Sequence, residues 1–127
     1  MHEYAITSLI IEEILNLNEI KEVSKITKVT LGFGPFSHAT FDRIQFWWEY
    51  LTEDTIFYGS ELIYQEIPGE LYCPNCKKNS LIKNRNSIDA DDTLLLFACP
   101  YCQSLQTEIK SGTDITIINI EVEELKD

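Results

Sequence analysis

The sequence of 127 residues carries 21 acidic and 10 basic side chains, and its formal net charge is −11. A protein that binds nucleic acid neutralises phosphates with basic residues, so this charge argues against that class of partner. Hydrophobic residues make up 44% of the chain, which suffices for a folded interior, and no apolar run approaches the roughly 20 residues that span a bilayer.

The first predicted helix follows the start of the chain almost directly. Apolar residues recur at helical spacing from Tyr4 to about Leu17, which predicts one buried stripe. Its members are Ile6, Leu9, Ile10, Ile14 and Leu17. The opening run ITSLII lies between acidic residues and lacks a basic leader, so we expect no signal peptide and a cytosolic location.

A first strand is predicted at 24–34, where the segment SKITKVTLGFG is rich in β-branched residues and ends in a Gly-x-Gly-Pro turn. Gly32, Gly34 and Pro35 also precede a helix, as the glycines of a phosphate-binding loop do. The segment lacks the third glycine and the Lys-Ser/Thr pair that hold phosphate, so we interpret it as a turn.

A second helix is predicted within SHATFDRIQFWWEYLTED, with Thr40 as N-cap and Asp42 in the first turn. Its apolar positions are Phe41, Ile44, Trp47, Trp48 and Leu51. Adjacent helical residues point about 100° apart, so one of the two tryptophans should face inward and the other should lie on the flank. An exposed Trp would be a docking anchor for a partner protein.

Two further strands, at 61–67 and 113–122, flank a cysteine-containing module at 69–110. We expect these strands to lie side by side in one sheet. The predicted fold class is α+β, a small three-stranded sheet covered by two helices with a zinc-ribbon module inserted before the last strand. The body would comprise 1–68 plus 111–127. Within the module, SLIK and LLLFA would be short strands and NRNSIDADD the tip between them.

The four cysteines form two Cys-Pro-x-Cys pairs, Cys73 with Cys76 and Cys99 with Cys102. A tight turn aims both sulfurs of such a pair at one point, and two pairs supply four thiolates for a closed tetrahedral Zn(II) site. Cytosolic thiols stay reduced, which favours metal over disulfides. The alternative is a redox dithiol, but such a pair usually stands alone. With no ligand position left for water, this zinc would be structural.

The start of the chain is a second candidate metal site. The α-amine of Met1, the amide nitrogens of His2 and Glu3 and the His2 imidazole are nitrogen donors that suit a planar Ni(II) or Cu(II) ion. Glu3 can add carboxylate oxygen. On chemistry alone, a histidine near a free terminus is more often simply solvated.

The order of these motifs resembles the hydrogenase/urease nickel-incorporation family HypA. The resemblance rests on the opening Met-His-Glu, on VTLGFGPFS, on ELIYQEIPGELYCPNC with a second CPYC, and on the closing GTDITIINIEVEE. It implies a nickel metallochaperone that is not an enzyme, with Ni(II) bound at Met1, His2 and Glu3 and structural Zn(II) at the four cysteines. The implied partners are a HypB-type GTPase and the hydrogenase large subunit, and urease is a second implied recipient of nickel.

The sequence departs from the family pattern in two places. The segment between the cysteine pairs is longer than usual for the family, and Thr40 stands where the family has an acidic side chain before the second helix. His38 and Asp42 are the nearest candidates for auxiliary nickel ligands, although a loop histidine is more often solvated.

Two other functions remain open from the residues themselves. One is a zinc-ribbon module that docks onto proteins and has no role in nickel handling. The other is a metal-assisted hydrolase, which the closed cysteine site and the lack of a second His and carboxylate cluster disfavour.

Overall fold

The computed structural model describes residues 2–37, 39–82 and 97–124. The elements follow in chain order: α1 (His2–Leu15), a short 3₁₀ helix (Asn18–Ile20), β1 (Val23–Phe33), α2 (Phe41–Leu51), β2 (Glu61–Glu66), β3 (Gly69–Cys73), β4 (Lys78–Ile82), β5 (Glu108–Ser111) and β6 (Ile115–Glu124). Within these ranges, neither helix is long and apolar enough to cross a membrane. The α+β fold class is confirmed.

The first compact unit comprises Met1–Leu31, Ala39–Tyr64 and Ile117–Asp127. Its sheet has the strand order β2-β1-β6, and α1 contacts α2. The expectation that the strands before and after the cysteine module lie side by side was wrong, because β1 separates them. The reason is burial, since β1 carries five buried residues and takes the central place, while β2 and β6 are more exposed and form the edges.

Helix α1 begins at His2 and buries a different face from the one predicted. The buried residues are Glu3, Thr7, Ile10, Ile11 and Ile14. Ile10 and Ile14 belong to both patterns, but Leu9 and Leu17 are exposed. Thr7 is tolerated inside because its hydroxyl donates to the Glu3 carbonyl oxygen at 2.6 Å, which satisfies the buried polar group.

Helix α2 begins after Thr40, whose extended backbone confirms it as N-cap, although its side chain makes no capping hydrogen bond. Trp48 is buried, lies edge-on to Phe57 at 5.2 Å and donates its indole N–H to the Ser60 hydroxyl at 2.9 Å. Trp47 is half-buried. The predicted division between the two tryptophans is therefore confirmed.

The second compact unit comprises Gly32–His38 and Gln65–Thr116. Its antiparallel sheet has the order β4-β3-β5, with Cys73 opposite Lys78 and Leu71 opposite Ile109. In the described part of this unit, Phe36 and Leu71 form a buried cluster, and Ile82 and Phe97 pack against them. The sequence patterns did not predict β3 and β5. Of the proposed module strands, SLIK coincides largely with β4, whereas the end of LLLFA, 97–98, is not a strand. Residues 94–96 and the NRNSIDADD tip lie outside the described residues.

Three glycines of the second unit bring backbone segments into close approach, and we call Gly34, Gly69 and Gly112 the glycine junction. A Cβ on Gly34 would lie 2.2 Å from the Gly112 carbonyl oxygen, and one on Gly112 would lie 2.6 Å from the Gly69 Cα. The Phe36 N–H donates to that same Gly112 oxygen at 2.9 Å, and the Ser37 N–H closes a turn on Gly34 at 3.2 Å. The interpretation of the Gly-x-Gly-Pro segment as a turn is confirmed.

Candidate metal centre

The four cysteine sulfurs lie within 4.8 Å of one another and form no disulfide. The Sγ atoms of Cys73 and Cys102 are 3.5 Å apart, and those of Cys76 and Cys99 are 3.6 Å apart. Four thiolates at about 2.3 Å from one zinc ion would lie about 3.8 Å from each other. The cluster therefore has the size of a tetrahedral zinc site before any ion is added.

The two short sulfur contacts join different cysteine pairs, because Cys73 meets Cys102 and Cys76 meets Cys99. Two independent redox dithiols would instead place the sulfurs of each pair in position to bond with each other. The crossing contacts favour one shared metal site, and the cluster fits structural zinc.

Both cysteine pairs use the same backbone turn. The Lys77 N–H donates to the Cys73 carbonyl oxygen at 2.7 Å, and the Gln103 N–H donates to the Cys99 carbonyl oxygen at 2.8 Å. Lys77 and Gln103 adopt the left-handed conformation, with φ of 60° and 66°. Glycine is the residue that favours this conformation, so neither position could be recognised as a turn end from residue type.

Secondary structure fixes the first pair at the β3-β4 hairpin, since Cys73 ends β3 and β4 begins two residues after Cys76. The second pair lies in a loop that a backbone hydrogen bond closes, because the Cys99 N–H donates to the Ser104 carbonyl oxygen at 2.9 Å. In each pair the first cysteine is buried, while Cys76 is half-buried and Cys102 is exposed.

The sulfurs differ in how readily they ionise. Burial raises the pKa of the Cys76 thiol to about 12, and hydrogen bonds from the neighbouring thiols add to that rise. The Asn75 amide and the Ser104 N–H lower the pKa of Cys102 to about 6. Burial also opposes ionisation of Cys99, but N–H groups of Cys102 and Tyr101 outweigh it and lower its pKa. A bound divalent metal would favour the thiolate form of the sulfurs that ligate it.

Asn75 contacts the cysteine cluster, although the sequence patterns did not single it out. Its side-chain amide donates to the Cys102 sulfur at 3.4 Å. Hydrogen bonds of this kind orient a ligand and stabilise its thiolate form. We expect Asn75→Ala to weaken zinc binding about tenfold at neutral pH. Competition with a chromophoric chelator measures this affinity.

Asn79 supplies the control for that prediction, because it is an exposed asparagine of β4 in the same hairpin. Asn79→Ala should leave the zinc affinity unchanged. Equal losses in the two variants would show that the hydrogen bond to sulfur has no specific effect.

The candidate nickel ligands are less completely described. Met1, His38 and the side chain of His2 lie outside the described residues. The Glu3 side chain is buried, at 8% exposure, and Asp42 is exposed in the first turn of α2. In the described part of the chain, one group of three or more His, Cys, Asp or Glu side chains lies close enough together to share a metal ion. This group consists of the four cysteines and includes neither Glu3 nor Asp42.

Comparison with known proteins finds one family whose model covers nearly the whole chain. Residues 1–122 match the family model described as hydrogenase/urease nickel incorporation, metallochaperone, hypA. A relative from Methanococcus maripaludis strain C6, named hydrogenase maturation factor HypA, is 25% identical, with 97% of this chain and 96% of the relative covered. A relative of the same name from Actinobacillus succinogenes is 29% identical, with 97% and 100% covered.

Solved structures share the fold. The solution structure of the Ni metallochaperone HypA from Helicobacter pylori superposes with a TM-score of 0.64 at 20% identity, covering 97% of this chain and 98% of that one. A second solution structure, of a HypA protein, gives a TM-score of 0.59 at 22% identity, with 98% and 97% covered.

Proposed function

Because the chain belongs to the HypA family of hydrogenase/urease nickel-incorporation metallochaperones, we propose that it binds Ni(II) at its N-terminus and delivers the ion during maturation of [NiFe]-hydrogenase. The ligands are the Met1 amine, the His2 imidazole and the amide nitrogens of His2 and Glu3. The family is one of metallochaperones and not of enzymes. The observation that carries this proposal is that the family match begins at residue 1, with the Met-His-Glu start at the beginning of α1.

The start of α1 supports the choice of amide ligands. The first four N–H groups of a helix have no carbonyl partner within that helix. With α1 beginning at His2, the N–H groups of His2 and Glu3 belong to this set. Ni(II) that displaces their protons therefore breaks no helical hydrogen bond. Burial of the Glu3 side chain favours its amide nitrogen over its carboxylate as the ligand.

The remaining parts of the proposal rest on the sequence and on the resemblance to the family. The zinc module, which we propose at 69–110, holds structural Zn(II) at Cys73, Cys76, Cys99 and Cys102 and serves as a rigid docking arm. A HypB-type GTPase and the hydrogenase large subunit are the proposed partners, urease is a second proposed recipient, and the cytosol is the proposed location. His38 and Asp42 remain proposed auxiliary ligands.

A nickel titration tests the terminal site. Protein whose chain begins at Met1 should bind one Ni(II) and develop the d–d absorption of planar nickel. A chain extended ahead of Met1 should not, because its terminal amine is displaced, and His2→Ala should lose the site with the imidazole. Binding should weaken as the pH falls, because protons compete for the amine, amide and imidazole nitrogens.

His38→Ala is the matched control, since His38 is the other of the two histidines. It should weaken nickel binding far less than His2→Ala and should retain the planar spectrum. If all four proteins bound nickel equally, the terminal site would be excluded. The protein would then be better described as a zinc-ribbon docking module, the alternative function that the cysteine cluster alone supports.

A further inference from the structure

Four aromatic side chains form a partly exposed cluster on the two helices. Tyr4 lies on α1, and Phe46, Trp47 and Tyr50 lie on α2. The Trp47 ring meets the other three edge-on, with centroid distances of 5.0 Å to Tyr4, 5.0 Å to Phe46 and 5.9 Å to Tyr50. We call this group the helix aromatic cluster. All four residues belong to the first compact unit.

The cluster leaves much of its ring surface in water. Phe46 and Tyr50 are 61% and 63% exposed, and Tyr4 is also exposed. Single exposed apolar residues are ordinary, but adjoining aromatic rings that hold each other in place form a continuous patch. The edge-on contacts restrict the motion of the rings. Binding of a partner would therefore cost little side-chain conformational entropy. Trp and Tyr are also the residue types that dominate binding energy at interfaces.

The charges on the two helices are one-sided. Within α1 and α2 there are five acidic residues and one basic residue, Arg43. The acidic residues are Glu3, Glu12, Glu13, Asp42 and Glu49, of which all but Glu3 are exposed. Among the described residues, the side-chain ion pairs are Lys28–Glu121 and Lys110–Glu108, and neither uses a helix carboxylate. The four exposed helix carboxylates, at Glu12, Glu13, Asp42 and Glu49, take no part in these ion pairs and can meet an incoming cation.

We propose that the helix aromatic cluster is a docking surface for a lysine- or arginine-bearing amphipathic segment of a partner protein. Apolar side chains of that segment cover the rings, its cationic groups lie over ring faces, and the helix carboxylates pair with the remaining positive charges. The same charges repel acidic peptides and anionic lipid surfaces. This inference goes beyond nickel binding and does not depend on it.

Arg43 provides an internal test of the charge argument. It lies three, four and seven residues before Phe46, Trp47 and Tyr50, so it shares their helix face. A cationic partner is repelled by Arg43. Reversing this one charge should therefore strengthen binding, whereas it would weaken binding of an acidic partner.

The experiment uses the 127-residue chain and a 14-residue probe peptide of Leu and Lys that forms an amphipathic helix (the Lys peptide). A peptide of the same pattern with Glu in place of Lys (the Glu peptide) is the acidic control. Isothermal titration calorimetry should detect binding of the Lys peptide alone, weakening as salt is added. Tyr50→Ser should weaken that binding about tenfold, and Arg43→Glu should strengthen it a few-fold.

Tyr58→Ser is the matched control, because Tyr58 is 64% exposed against 63% for Tyr50, belongs to the same unit and lies outside the cluster. It should bind the Lys peptide as the unchanged chain does. Circular dichroism should show equal helix content in all variants. The proposal is overturned if the Glu peptide or anionic vesicles bind as well as the Lys peptide, if no peptide binds, or if Tyr58→Ser weakens binding as much as Tyr50→Ser.

Discussion

Cys73→Ser is expected to release the zinc ion and to unfold the sheet formed by β3, β4 and β5. The reason lies in the described part of the second unit, where the core cluster is small, with Phe36 and Leu71 buried and Ile82 and Phe97 only partly so. A cluster of this size offsets little conformational entropy, while structural zinc contributes about 10–16 kcal/mol of apparent binding free energy in small zinc modules. Because the unfolded chain has no preformed site, that binding energy is also folding energy.

Zinc content by atomic emission and amide dispersion by NMR measure the two parts of this prediction. Tyr101→Ser is the control, because Tyr101 is exposed and lies between two of the same cysteines without supplying a ligand. It should retain one zinc per chain and a folded module. A zinc-free Cys73→Ser protein with intact β3, β4 and β5 amide signals would contradict the claim that metal stabilises this unit.

Gly34→Ala is expected to destabilise the protein by about 3 kcal/mol, a large effect for one methyl group. The new Cβ would lie 2.2 Å from the Gly112 oxygen and 2.5 Å from its carbonyl carbon. These are backbone atoms, so no side-chain rotation relieves the clash. Moving them apart would also disturb the hydrogen bond from Phe36 to Gly112.

Gly59→Ala separates this steric effect from the cost of backbone conformation. Gly59 has φ of +78°, but a Cβ there would have no atom within 4 Å. Its substitution should cost about 1–2 kcal/mol through the left-handed conformation alone. Urea unfolding of the zinc-loaded proteins gives both free energies. Equal losses at Gly34 and Gly59 would show that close packing at the glycine junction contributes nothing.

Sequence reasoning succeeded where the chemistry does not depend on the surrounding fold. Cysteines with two residues between them aim at one point in a tight turn, so their spacing predicted the cluster despite the long segment between the pairs. It failed for β5, whose four residues are all exposed and give no apolar alternation. It also misassigned the face of α1, because Ile10 and Ile14 fit two stripes and only tertiary packing decides between Leu9 and Thr7.

The uneven burial of the four sulfurs has a kinetic consequence for metal exchange. We expect a competing chelator to reach Cys102 and Cys76 before Cys73 and Cys99, because the latter two are buried. The two shielded sulfurs belong to different pairs. A zinc ion held by all four sulfurs would therefore stay linked to both turns through Cys73 and Cys99 if its bonds to Cys102 and Cys76 broke first.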